Sequence, residues 1–209
     1  MGATMTKPHG RAHRRQHGFS LIEVLFSIVI VMTGLLAMLA TFAYALSTTQ
    51  SAQEDQIAKQ VAQDALENIF TARDTQQLTF QQIANVSANP PGIFVDGPTL
   101  LLDTGPDGLA GTGDDVAFSP TTTGCPTSVN PLGVQCIKLP GKDGMLGTGD
   151  DGYMVLSNFR RTITIANTLN PDGSPNPNLK QVTVNVQYTR PLQVQPRVYT
   201  VNALISVYR

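Results

Sequence analysis

Three hydrophobic patterns follow one another along the chain. From Val24 to Leu46 no residue is charged, and apolar side chains run on almost without a break. As a helix this stretch is about 34 Å long, enough to cross a hydrocarbon core of about 30 Å. The pattern then becomes amphipathic. Ile57, Val61, Ala65, Leu66, Ile69 and Phe70 recur at three- and four-residue spacings, and Glu54, Asp55, Lys59, Gln63, Asp64 and Glu67 fill the other side. This predicts a helix that ends near Thr71–Gln77. A short helix over Thr79–Val86 is expected before "SANPPG" breaks the chain.

The third pattern has period two. Tyr153–Asn167 ("YMVLSNFRRTITIAN") is rich in β-branched residues. In "QVTVNVQYT", Val182, Val184, Val186 and Tyr188 share a face. In "VYTVNALISVYR", Tyr199, Val201, Ala203, Ile205 and Val207 do the same. The turn-rich "NPDGSPNPN" (Asn170–Asn178) separates the first strand from the second. The expected fold class is α+β, with one long N-terminal helix packed on a C-terminal antiparallel sheet.

Charge changes the picture at the N-terminus. The formal net charge of −1 conceals an asymmetry: Lys7, Arg11, Arg14 and Arg15 precede Gly18 with no acid among them. The rest of the chain carries about −5, so no nucleic-acid partner is expected. Basic residues ahead of an apolar span stay cytoplasmic, which sends the C-terminal part outward. His9, His13 and His17 also precede Gly18, and no histidine follows. The remainder can build no Ser-His-Asp triad, no Cys-His pair and no histidine metal site, and no enzymatic function is expected.

One acid does sit at the edge of the apolar run. A carboxylate costs about 2.5–3.5 kcal/mol at the bilayer midplane and less near an interface. By composition alone Glu23 is an interfacial residue. Its setting says more. The stretch "GFSLIEVL" (Gly18–Leu25) combines a basic leader, a glycine, an aromatic residue and a glutamate with the apolar helix that follows. It resembles the leader and methylation motif of type IV pilins. The resemblance implies that prepilin peptidase cuts between Gly18 and Phe19 and methylates the new amino terminus. It also implies that Glu23 faces the terminal amine of a neighbouring subunit, since a carboxylate and an amine in a dry bundle are tolerable only as a pair.

The longer stretch "MTGLLAMLATFAYALSTTQSAQEDQIAKQVAQDALENI" is similar to minor pilins of the PilV type. That resemblance implies a membrane-inserted structural subunit involved in pilus assembly, adhesion or motility. A minor pseudopilin of type II secretion and a pilus-borne adhesin are the alternatives. The expected organisation is a leader (1–18), a transmembrane helix (19–46), an amphipathic helix (47–77), a loop-rich segment (78–152) and a β-sheet (153–209). Expected partners are prepilin peptidase, other pilins along the N-terminal helix, and the inner membrane before assembly into an extracellular pilus. The C-terminal domain is expected in the periplasm.

Two features remain. Cys125 and Cys136 close a short loop in "CPTSVNPLGVQC". A disulfide in an oxidising compartment is one reading and a pair of free thiols the other. Beside them lies an internal repeat: "GPDGLAGTGDDV" (Gly105–Val116) returns as "GKDGMLGTGDDG" (Gly141–Gly152), thirty-six residues later. From Asp96 to Asp151 there are eight acids and two bases. Tight turns account for the Asp-Gly steps. Calcium is the competing reading, with Asp107, Asp114 and Asp115 in one copy and Asp143, Asp150 and Asp151 in the other as candidate ligands.

Overall fold

The protein is described from a computed structural model that covers residues 20–189 and 195–208. The chain divides into two compact units, Met1–Gln50 and Ser51–Arg209. The helix α1, Leu21–Asp74, begins in the first and ends in the second. In the first unit every described residue is exposed, and an 18-residue window reaches a mean hydropathy of 2.5. This part of α1 is long and apolar enough to cross a membrane. Its hydroxyls do not break that character. Thr33, Thr41 and Thr48 donate to the carbonyls three residues earlier, at 3.0, 2.8 and 2.8 Å, and Ser27 donates to the Glu23 carbonyl at 2.8 Å. Each of these hydroxyls is satisfied within the helix, as a hydrocarbon setting requires.

In the second unit α1 buries Ala58, Val61, Ala62, Ala65, Ile69 and Ala72. The spacing is the expected one, but the line runs through alanines. Ile57, Leu66 and Phe70 lie at its margins, half-buried. Small residues hold the centre of this line, which shares one apolar core with the strands that cover it. Those strands form an antiparallel sheet ordered β3 (Phe159–Leu169), β4 (Pro175–Tyr188) and β5 (Arg197–Ser206). The central strand β4 is covered best, with Val182, Val184 and Val186 fully buried and the Tyr188 ring stacked on Phe159 at 5.0 Å.

Polar latches hold α1 to this sheet. The Tyr188 hydroxyl and the Arg197 guanidinium (2.9 Å) both donate to the Asp55 carboxylate. Near the C-terminal end of the helix, Arg73 donates to the Ser206 carbonyl at 2.5 Å and to the Tyr208 carbonyl at 2.7 Å.

Two expectations need correction. No helix forms over Thr79–Val86; the segment is a series of turns. Asn85 explains why. Its side-chain amide donates to the Ile163 carbonyl at 2.8 Å and accepts from the Ile165 N–H at 2.8 Å, so it pairs with the edge of β3 as a strand residue would. Gly92 then passes so near that an added Cβ would lie 2.0 Å from the Ala84 carbonyl oxygen. Tertiary pairing outcompetes a single helical turn, which is weak alone.

The stretch Tyr153–Asn167 is likewise not one strand. It breaks at Leu156, which is fully buried, and its first part joins a second, two-stranded sheet. That sheet is β1 (Cys136–Leu139) paired with β2 (Gly152–Val155). Cys136 is bonded to Cys125, so a disulfide anchors this hairpin. Between Asn85 and β1 the chain is mostly loop, broken by the one-turn helix α2, Pro120–Thr123.

Candidate functional site

The processing residues come first in the chain. Gly18 and Phe19 lie outside the described residues. Glu23 lies in the first turn of α1, where its N–H and that of Val24 donate to the Ser20 carbonyl at 3.0 and 3.2 Å. The helix start concentrates the positive end of the backbone dipoles, so the macrodipole favours a negative charge there. The carboxylate therefore sits where the helix itself tolerates it, at the very start of the apolar run.

Residues 13–39 match the Prokaryotic N-terminal methylation motif. No curated protein and no solved structure matches the chain. The motif is the signal of type IV pilins and pseudopilins and contains their prepilin peptidase cleavage site. It supports a type IV pilin-like structural subunit rather than an enzyme, and with the apolar helix it supports membrane anchoring. The α+β architecture, a long apolar N-terminal helix followed by antiparallel sheets, is pilin-like.

The repeated loops fold into one module twice. Each is closed by an antiparallel pair at equivalent positions, Asp103 with Val116 and Leu139 with Gly152. Inside, the hydrogen bonds repeat. The Asp107 and Asp143 N–H groups donate to Asp114 and Asp150 at 3.2 and 3.3 Å. The Leu109 and Met145 N–H groups donate to Asp107 and Asp143 at 2.7 and 2.9 Å. The Gly111 and Gly147 N–H groups donate to Asp115 and Asp151 at 2.8 and 2.7 Å. The Thr112 and Thr148 hydroxyls donate to Asp114 and Asp150 at 2.6 and 2.8 Å. Gly111 and Gly147 carry φ angles of 84° and 92°, a region that side chains disfavour. All six predicted carboxylates are thus turned onto their own loop.

The copies differ in where they sit. Asp115 meets Arg161 at 3.6 Å, and each side chain is 7% exposed. Asp151 meets Lys138 at 3.3 Å, and that lysine is 35% exposed. Burial pushes the Asp115 carboxyl up, and the Gly111 N–H and Arg161 offset this only in part. Burial also acts on Asp151, but there the Gly147 N–H and Lys138 outweigh it and hold the carboxyl below its ordinary value. The Thr112 and Thr148 hydroxyls are the main cause of the lowered values at Asp114 and Asp150.

Arg161 and Lys138 are the participants the sequence reading missed. Arg161 had a signal: in "FRRTITI" it falls on the same face as Phe159, Ile163 and Ile165, an inward position. Lys138 had none, because its partner is set by the β1–β2 register.

The hydrogen bonds support turn chemistry for both loops. Among the described residues no group of three or more His, Cys, Asp or Glu side chains is placed to hold a metal ion. Calcium is checked by melting. The expected result is an unchanged Tm at millimolar calcium, the range in which extracellular modules bind. A rise that Asp115→Asn with Asp151→Asn abolishes would assign the loops to the ion instead, because a ligand that binds only the folded state stabilises it.

Proposed function

We propose that this chain is a minor pilin of the PilV type. In this reading prepilin peptidase cuts after Gly18 and methylates Phe19. The apolar part of α1 holds the subunit in the inner membrane, with the domain from Ser51 onward in the periplasm. The subunit then enters an extracellular type IV pilus along α1. What carries the reading is the methylation motif over 13–39 running directly into an uninterrupted helix from Leu21, with Glu23 in its first turn. After cleavage the Phe19 amine is cationic and lies among apolar helices, where an unpaired charge is costly. Glu23 supplies the opposite charge to the amine of a neighbour.

Glu23→Ala tests this. Membrane insertion is expected to persist, because the substitution removes a charge from an apolar segment. The amount of the protein in sheared pili should fall severalfold relative to the membrane pool. Recovery equal to the parent would count against the pairing role. The same motif fits a minor pseudopilin of type II secretion, and the location of the assembled subunit separates the two: surface pili or a secretion filament.

A further inference from the structure

The twin loops share a scaffold but not an environment. In the first copy Leu109 and Ala110 are 5% and 4% exposed, and Gly111 lies against Ile163 of β3, where an added Cβ would come within 2.8 Å of its Cδ1. The equivalent residues of the second copy are Met145 and Leu146. They are 64% and 63% exposed. This second loop caps the β1–β2 hairpin, whose base the Cys125–Cys136 disulfide fixes. A stiff loop therefore holds two large apolar side chains in water. Presented this way, the loop backbone loses little conformational freedom on binding, and only the side-chain rotamers remain to be ordered.

The same domain carries a cavity of about 590 Å³ with matching chemistry. Phe80, Ala84, Pro90, Ile165 and Val207 give it apolar walls, Lys180 adds a cation, and Gln81, Asn89, Asn167 and Asn178 make its rim partly polar. Ile165 is the next inward residue after Ile163, so the cavity adjoins the place where the first loop is seated. The Lys180 ammonium donates to the Phe80 and Ile83 carbonyls at 2.9 and 2.8 Å and lies 4.7 Å over the Phe80 ring. Two of its three donors are thereby used. Among the described residues no carboxylate meets it. On the exposed loop, Asp143 accepts from the Met145 N–H through Oδ1 and shares the tip with Lys142; with Asp150 and Asp151 the loop carries more negative than positive charge.

We propose that Met145 and Leu146 of one molecule seat in the Phe80–Ile165 cavity of a second copy of this chain, with Asp143 facing Lys180. Tip and cavity are different surfaces, so the contact is head-to-tail and can repeat along a filament. The inference goes beyond the pilin reading, and its test uses neither cleavage nor pilus recovery.

The test is photo-crosslinking of the full chain in detergent micelles, with benzoylphenylalanine in place of Leu146 and a mixture of isotope-labelled and unlabelled protein. Irradiation is expected to give mixed dimers that join the loop to peptides containing Phe80 or Ile165. Asp143→Asn keeps the turn acceptor and Lys180→Gln keeps an N–H donor, so both remove charge without removing a hydrogen-bonding group. Each should cut the dimer yield, and the two together should cut it no further, because they break one interaction. Absence of mixed dimers, crosslinks that map elsewhere, or a yield unchanged in Lys180→Gln would overturn the proposal.

Discussion

Gly18→Phe is expected to leave the entire population uncleaved. The peptidase must hold the backbone on both sides of the bond it cuts, and Gly18 offers no side chain on the leader side. A bulky ring there blocks the approach. The leader keeps Lys7, Arg11, Arg14 and Arg15 joined to the apolar run, which anchors the chain at the membrane but gives it no free Phe19 amine. The Glu23 carboxylate of a neighbour then has no partner, and assembly should fail with processing. Intact mass of the membrane-extracted protein measures this. The parent should begin at N-methylated Phe19, and the variant should retain its leader. A parent with an intact leader, or cleavage after Ala45, would overturn the reading; a fully processed Gly18→Phe variant would show that the enzyme does not need the glycine.

Asp115→Ala should be the most damaging single change in the globular unit. It strands the Arg161 guanidinium, which is 7% exposed and whose Nε and Nη2 have no hydrogen-bond partner among the described residues. Breaking a buried ion pair by removing one partner costs about 3–5 kcal/mol. At about 2–4 °C per kcal/mol for a chain of this size, Tm should fall by roughly 10 °C. The alanine also removes the acceptor for the Gly111 N–H. Asp151→Ala deletes the equivalent residue of the second loop and likewise removes the acceptor for the Gly147 N–H, but the cation it strands is Lys138, which is 35% exposed. Water can solvate that ammonium, so the loss should be clearly smaller. Replacing the whole pair, Asp115→Leu with Arg161→Met, should recover much of the stability because no charge is left buried. Calorimetry on the four proteins decides the matter. Equal losses from Asp115→Ala and Asp151→Ala would mean that the buried arginine is not the difference between the two loops.

The sheet strands were legible where the alternation was strong. Val182, Val184, Val186 and Tyr188 lie on the buried face, as their period predicts, because a central strand is covered along its length. The helix stripe was read with the right period but weighted toward large residues, whereas its buried line is set by Ala58, Ala62 and Ala72. Small side chains give little hydrophobic signal, so a buried line built on them is hard to read. Strand β1 escaped notice because four residues, "CIKL", are too short for a period to show. The repeat was visible letter by letter, while the divergence between its copies was not. The copies differ at four positions, Pro106 against Lys142, Leu109 against Met145, Ala110 against Leu146 and Val116 against Gly152, and none of these differences says which loop the fold buries.

The sequence by itself determined the N-terminal third. A long apolar run, the basic residues ahead of it and Glu23 at its start are local features, because helix formation and membrane partition depend on residues a few positions apart. It also determined the internal form of the twin loops, whose bonds join residues at most eight positions apart. Tertiary structure alone decided which loop is buried and which stands free. That choice depends on Arg161, which lies 46 positions beyond Asp115 along the chain and reaches it only because β3 folds back beneath the first loop. A pattern of nearest neighbours carries no record of such a pairing, because its energy exists only once the two residues have left water together.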